Sequence, residues 1–96
     1  MLYFIEWDEA KRLATLSKHG VDFRYAAKVF TRPHVAIRSD RRGKERFLAI
    51  GQVGGKFLAV AYTERGAKLR IITARRARKG EVNAFRQGIP VGRPRA

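Results

Sequence analysis

The spacing of hydrophobic residues changes at Pro33. Before this residue, apolar side chains recur at the three- and four-residue intervals of amphipathic helices, and after it they form the short runs that are typical of β-strands. We therefore predict one α+β domain over residues 1–87, with two N-terminal helices, a four-stranded antiparallel sheet and a C-terminal helix. Residues 88–96 mix Pro, Gly and Arg, which predicts a flexible basic tail.

The two N-terminal helices have recognisable ends. The first is predicted over residues 9–19, with Asp8 as its N-cap and Gly20 in the left-handed position after it. The second is predicted over residues 23–30 and is capped by Asp22. The apolar stripe of the first helix consists of Ala10, Leu13 and Leu16.

Four strands and a last helix are predicted after Pro33. The strands are "HVAIRS", "ERFLAIGQV", "KFLAVAYTE" and "AKLRIITA", and the helix covers about residues 75–87. Two of the separators, Gly54-Gly55 and Arg65-Gly66, have the length of two-residue hairpin turns. Both hairpins should therefore fix the register of their strands.

That register predicts which side chains share a face. Arg46 should lie opposite Thr63 and Thr63 opposite Lys68, while Ala61 in the next row should lie between Leu48 and Arg70. The cations then gather at one end of one face, beside a floor of small alanines. The other face should form the core with the helices, through Phe47, Leu58, Val60, Tyr62, Leu69 and Ile71.

Composition then indicates the partner. The chain has 22 Lys and Arg against 8 Asp and Glu, a net charge of +14, and residues 32–96 hold most of the excess. This charge favours a polyanion, by default a nucleic acid. There is no cysteine, and the two histidines are far apart, so we expect no metal or cofactor. Without an apolar run of membrane-spanning length or a signal peptide, we expect a cytoplasmic protein and no membrane partner.

Cleavage of RNA without a metal needs a proton acceptor, cations around the phosphate and a proton donor. His19 and His34 are candidates for proton transfer, although either also fits a surface or capping histidine. Arg46 and Arg70 interrupt strand patterns, and their planar guanidinium groups can bind phosphate through two nitrogens. A solvated sheet face would explain the same two residues.

A second basic cluster lies in "IITARRARKGE". Its residues Arg75, Arg76, Arg78 and Lys79 fall at the start of the predicted last helix, where the helix dipole disfavours cations. A bound polyanion would explain this placement, and so would a solubilising charged turn. The candidate RNA-binding residues are Lys18, Thr63, Lys68, Arg76, Arg78 and Lys79.

Four blocks in order, "FIEWDEAK", "KHGVDFRYAAKVF", "GKERFLAIG" and "YTERGAKLRIITARRA", resemble the BrnT family of toxins from bacterial type II toxin–antitoxin systems. The resemblance covers about residues 4–85. It implies a RelE-like fold, ribonuclease activity that stops translation, and neutralisation by a BrnA-like antitoxin with a ribbon-helix-helix domain. Toxin and antitoxin together would bind operator DNA and repress their own operon.

The resemblance also implies site residues, which match this chain at His19, Arg46, Thr63, Arg70 and Arg75. The chain departs from the family pattern at Thr15, Lys44, Thr73 and Phe85, where Asn, an acidic residue, Ser and Tyr are common. The sequence thus predicts a metal-independent endoribonuclease with His19, Arg46, Arg70 and Arg75 as catalytic residues. The alternative is a basic nucleic-acid-binding domain without chemistry.

Overall fold

The computed structural model describes residues 4–88, so residues 89–96 of the predicted tail lie outside the described residues. The domain is α+β, as predicted, but its sheet has five strands. In chain order the elements are β1 (Phe4–Trp7), α1 (Glu9–His19), α2 (Phe23–Ala26), a 3-10 helix (Ala27–Thr31), β2 (His34–Arg38), β3 (Phe47–Val53), β4 (Lys56–Arg65), β5 (Lys68–Arg76) and α3 (Lys79–Gln87).

The sheet is mixed, because its first strand is parallel to its last. The strand order is β1-β5-β4-β3-β2, and β1 pairs with β5 from Phe4 opposite Lys68 to Trp7 opposite Ile71. The predicted four-stranded antiparallel sheet is therefore wrong. Four residues are too few for a strand pattern to stand out, and the partner of β1 lies more than sixty residues away, so nothing local marks the pairing.

The N-terminal helix agrees with its prediction, and the second is shorter than predicted. In α1, the Asp8 carboxylate accepts the Ala10 N–H at 2.8 Å, and Gly20 ends the helix with φ of +72°. The second predicted helix is only one α-helical turn, α2, after its Asp22 cap. It tightens into the 3-10 helix before Pro33, since the residue before a proline is disfavoured in the helical region.

The apolar stripe of α1 does not face the core. The side chains of Leu13 and Leu16 are 53% and 37% exposed, whereas Thr15 is only 7% exposed. Arg12 lies under the helix, where its guanidinium donates to Asp22 at 3.0 Å. This contact joins α1 to the cap of α2. The ion pair and the buried Thr15, rather than the two leucines, therefore hold α1 against the rest of the domain.

Each face of the sheet has its own apolar cluster. The predicted core face packs against α2 and the 3-10 helix, and Phe23 and Phe30 belong to its cluster. Five of the six residues predicted for this face are buried and Phe47 is partly buried, which confirms it. On the other face, α3 contributes Phe85 to a smaller cluster around Val35, Ile50 and Ala59. Since Ala59 is buried there, this face has no open alanine floor at that point.

The register of the last hairpin differs from its prediction. Leu48 lies opposite Ala61, as predicted, but Thr63 lies opposite Arg70 and Arg65 opposite Lys68. The turn is therefore Gly66-Ala67 and not Arg65-Gly66. Gly66 has φ of +59°, which suits the first central position of a type II′ turn, a position that favours glycine.

A β-bulge in β5 changes which cations share a face. Tyr62 pairs with Ile71 but Ala61 pairs with Thr73, so Ile72 is the extra residue. Without it, Arg70 and Arg75 would point to opposite faces, because they are five positions apart and side chains alternate along a strand. With it, both lie on the face that carries α3.

The last helix begins later than predicted. Arg75 and Arg76 belong to β5, opposite Ala59 and Leu58, and α3 covers only Lys79–Gln87. The ladder continues past Arg76, since the Ala77 N–H donates to the Phe57 carbonyl at 2.9 Å. Charge alone did not reveal this, because a strand that ends in arginines looks like the start of a polar helix.

The turn between β3 and β4 offers a test of local packing. Gly54 and Gly55 have φ of +57° and +80°, and a Cβ on Gly54 would collide with the Tyr25 hydroxyl, which donates to the Val53 carbonyl. Both Gly→Ala variants incur left-handed strain of about 1 kcal/mol. We expect Gly54→Ala to lose about 1 kcal/mol more, because the Tyr25 hydrogen bond must break.

Urea unfolding of both variants measures this difference. Gly55→Ala is the matched control, since a Cβ there meets nothing within 4 Å. Equal losses of stability in the two variants would show that the Tyr25 contact does not matter.

Candidate functional site

One row of side chains crosses β1, β5 and β4 and ends at the residue before β3, on the face that carries α3. Glu6 of β1 lies beside Arg70 of β5, and Arg70 lies opposite Thr63 of β4. Arg46 directly precedes Phe47, the partner of Tyr62, so it lies next to Thr63. We call Glu6, Arg70, Thr63 and Arg46 the cross-sheet row. Three of these residues, Arg46, Thr63 and Arg70, were predicted from the sequence to converge.

The acidic end of the cross-sheet row is a half-exposed ion pair. Nη1 of Arg70 lies 3.3 Å from Oε2 of Glu6, and Nζ of Lys68 lies 3.9 Å from Oε1. The side chains of Arg70 and Glu6 are 35% and 33% exposed. Pairs this open to solvent contribute about 0–1 kcal/mol, so an anionic ligand can compete for the arginine.

The other end of the row contains two buried polar atoms without partners. Nε of Arg46 and Oγ1 of Thr63 have no hydrogen-bond partner within the described part of the chain. A buried donor or acceptor left unsatisfied costs about 1–3 kcal/mol. Phosphate oxygens would accept from both groups, so these neighbouring atoms indicate an anion site between Arg46 and Arg70.

Arg75 lies on the same face but belongs to a different contact. Its two terminal nitrogens donate to the two carboxylate oxygens of Glu81, each at 2.8 Å. Arg75 lies opposite Ala59, four residues from Thr63 along β4 and thus about 13 Å away in an extended strand. The guanidinium joins β5 to α3. It lies too far from Thr63 to be part of the cross-sheet row.

The pKa values of this pair follow from the contact. The hydrogen bonds that Arg75 donates to Glu81 raise the pKa of Arg75 above its ordinary value. Burial works to raise the pKa of Glu81, but the hydrogen bonds from Arg75 and from the Arg78 N–H outweigh it and lower the pKa. Glu81 is therefore a carboxylate at neutral pH, at the N-terminal turn of α3, where the helix dipole favours negative charge.

The structure does not bring His19 to the cross-sheet row. His19 lines a groove of about 410 Å³ on the core side of the sheet, together with Tyr25, Lys56 and Arg76. Arg76 lies opposite Leu58, five residues along β4 from Thr63. His19 and the row are therefore on opposite faces, at opposite ends of the hairpin.

The other predicted residues are dispersed. Lys18 is exposed at the end of α1, and Arg78 and Lys79 are exposed before and at the start of α3. His34 contacts the Arg32 carbonyl through Nδ1 at 2.8 Å and packs edge-on against Phe30. The basic run of the sequence thus divides between two faces and a helix start.

Glu6 is the residue that sequence analysis missed. It lies between Ile5 and Trp7, both of which pack on the core face, so "FIEW" has the alternation of a half-buried strand. That alternation could have identified β1 and placed Glu6 outward. Its neighbour Arg70 could be assigned only with the parallel pairing.

Comparison with known proteins agrees with this fold. The family model described as "Ribonuclease toxin, BrnT, of type II toxin-antitoxin system" matches residues 7–81. The chain therefore has the fold and sequence of a ribonuclease toxin of the type II class. It belongs to the BrnT toxin family.

A solved structure supports the same assignment. The crystal structure of the ribonuclease toxin BrnT from Brucella abortus is 30% identical in sequence, with a TM-score of 0.67. The match covers 81% of this chain and 100% of the Brucella chain. Among curated proteins, no sequence matches this chain significantly. Within residues 4–88, no helix is long and apolar enough to cross a membrane.

Proposed function

We propose that this chain is a metal-independent endoribonuclease that cuts RNA at the cross-sheet row and thereby inhibits translation. The observation that carries the proposal is the row itself, in which a carboxylate, two arginines and a hydroxyl lie side by side on the face that carries α3. These groups can supply phosphate binding, charge stabilisation and proton transfer without a bound ion.

In the proposed reaction, Arg46 and Arg70 hold the non-bridging oxygens of the scissile phosphate, and Thr63 donates a further hydrogen bond. Glu6 accepts the proton of the 2′-hydroxyl, and the 2′-oxygen attacks phosphorus. The bond from phosphorus to the 5′-oxygen then breaks, and a proton from water completes the 5′-hydroxyl product. The protonated Glu6 returns its proton to the hydroxide that is left. Negative charge grows on the phosphoryl oxygens during this step, where the two guanidinium groups stabilise it most.

Glu6 takes the proton-transfer role in this proposal because of its position. Its carboxylate lies within 3.9 Å of both Arg70 and Lys68, whereas His19 is on the other face of the sheet. We propose that His19, with Lys18 and Arg76, binds RNA outside the reaction centre. Lys68, Arg78 and Lys79 add positive charge along the substrate, and Arg75 positions α3 against β5.

Membership of a type II toxin family supports an antitoxin as a partner. We propose that a BrnA-like ribbon-helix-helix antitoxin neutralises the toxin in the cytoplasm, and that the complex binds operator DNA. The net charge of +14 supports an antitoxin with an acidic segment over the basic surface, since complementary charge speeds association and suppresses wrong partners.

Cleavage of a labelled RNA in the presence of excess EDTA tests the enzymatic proposal. We expect cleavage to persist, with a 2′,3′-cyclic phosphate and a 5′-hydroxyl at the new ends. The same oligonucleotide with 2′-O-methyl groups should stay intact, because it lacks the attacking hydroxyl. Intact RNA with folded protein that still binds it would favour the non-catalytic alternative.

A further inference from the structure

The connection between β2 and β3 is a small ribbon rather than an irregular loop. Arg41 and Lys44 exchange two backbone hydrogen bonds, of 3.0 and 2.8 Å, and the turn between them is Arg42-Gly43. Both turn residues have positive φ, +50° and +75°, as a type I′ turn requires. We call residues 39–46 the basic ribbon.

The two acidic residues of the basic ribbon do not neutralise its tip. Asp40 and Glu45 both bind Arg38, at 2.7 and 2.8 Å, and Asp40 also accepts the Arg46 N–H. Four cations remain around a depression of about 300 Å³: Arg41, Arg42, Lys44 and Arg46. None of these four has a carboxylate partner within residues 4–88.

Two features of the ribbon oppose its own stability. Arg42 occupies a left-handed position that disfavours residues with a Cβ and that Asn or Gly would fill more easily. Arg41 and Lys44 face each other as a like-charged pair across the ribbon, which is unfavourable. Such local conflicts concentrate at functional sites, where a ligand compensates for them.

Arg46 connects the basic ribbon to the cross-sheet row. It lines the depression of the ribbon, and its Nε is the unpartnered atom next to Thr63. From Arg46 to Lys44 the chain spans two residues, about 7 Å, and Arg42 lies beyond them in the turn. That length exceeds the 3.4 Å rise per nucleotide of a helical strand, so the ribbon can contact more than one phosphate.

We propose that the basic ribbon is a second phosphate-binding site, which holds the RNA backbone next to the scissile phosphate. The inference rests on the proposed function, since it takes RNA as the ligand. Arg46 is shared by both sites, and Arg41, Arg42 and Lys44 bind flanking phosphates. Substrates long enough to reach the ribbon are therefore bound more tightly than short ones.

The variant Arg42→Asn separates binding from folding. It removes one cation and places at the turn a residue that favours the type I′ conformation, so its Tm should equal or exceed that of the wild type. Arg32→Asn is the matched control, because Arg32 is exposed at the other end of β2 and the same charge is lost.

The binding experiment uses a 2′-O-methyl 12-mer, which the enzyme cannot cut, and fluorescence anisotropy at 0.05–0.5 M KCl. We expect Arg42→Asn to reduce the slope of log K against log salt by about 0.7, which is about fivefold weaker binding near 0.1 M salt. Arg32→Asn should retain the wild-type slope and affinity. A wild-type slope for Arg42→Asn would overturn the proposal.

Cleavage assays then separate a failure of the ribbon site from a failure of the enzymatic proposal. For Arg42→Asn, we expect kcat/KM to fall about fivefold on an RNA 12-mer but to stay unchanged on a dinucleotide, which is too short to reach the ribbon. Equal losses on both substrates would contradict the ribbon site. If the wild type cuts neither RNA, the enzymatic proposal fails, whereas the anisotropy slopes still decide the ribbon site.

Discussion

Replacing Arg70 with alanine is expected to reduce the rate of RNA cleavage by about 10²- to 10³-fold, the effect of removing one preorganised donor to a developing oxyanion. Arg70 is central to this prediction because it lies between Glu6 and Thr63 in the cross-sheet row. Single-turnover cleavage with enzyme in excess measures the chemical step, and circular dichroism confirms that the variant folds.

Three further variants sharpen the test. Arg70→Lys keeps the charge but loses the planar fork, so it should remain at least about tenfold slower than the wild type. Arg24→Ala removes an exposed arginine on the helix side and should cleave at the wild-type rate. His19→Ala should cleave within about twofold of the wild type. A loss with His19→Ala as large as that with Arg70→Ala would place the reaction on the other face of the sheet.

Replacing Glu81 with alanine is expected to lower the free energy of unfolding by about 2 kcal/mol, or Tm by about 10 °C. The change removes both carboxylate oxygens that accept from the Arg75 guanidinium, and also the acceptor of the Arg78 N–H. It also leaves the Arg75 charge unpaired under α3, where its side chain is only 22% exposed. Urea unfolding at pH 7 measures the loss.

The matched control is Glu64→Ala, which removes an exposed carboxylate from β4 and should change stability by less than about 0.5 kcal/mol. An equal loss in both variants would mean that general charge balance, and not the contact with Arg75, sets the effect.

The same pair predicts acid sensitivity. The pKa of Glu81 is lower in the folded protein than its ordinary value of 4.5. Its contribution to the free energy of unfolding is therefore complete above about pH 4.5. The contribution disappears as the pH falls through the folded-state pKa. Between pH 5 and pH 3, Tm should therefore fall less steeply in Glu81→Gln than in the wild type. Asp22, whose pKa is lowered by its bonds with Arg24, gives both proteins a remaining acid dependence.

Local signals predicted the first helix and the β3–β4 hairpin well. Asp8 and Gly20 define the ends of α1 through their own backbone and side-chain chemistry. The two-residue turn Gly54-Gly55 likewise fixes the register of β3 and β4, and only the residues next to it are needed to predict that register. Such features depend on neighbours in the sequence and can be predicted without knowledge of the rest of the fold.

The features that the sequence analysis missed depend on distant residues or on one-residue choices. The pairing of β1 with β5 joins Glu6 to Arg70 across 64 positions, and no pattern near either residue indicates it. The choice between two adjacent turn positions at Gly66 moved the partner of Thr63 from Lys68 to Arg70. The cluster of Arg46, Thr63 and Arg70 was nevertheless predicted, because a shift of two residues preserves the face on which a side chain lies.

The parallel pairing of β1 with β5 also has a consequence for the cell that makes this protein. Glu6 is synthesised early, but Arg70 joins the chain only after 63 intervening residues, which takes about 3–13 s at ordinary elongation rates. Until Arg70 has been added, the nascent polypeptide lacks the complete cross-sheet row. A ribosome that makes this chain is therefore exposed to an assembled cross-sheet row only after β5 has been translated.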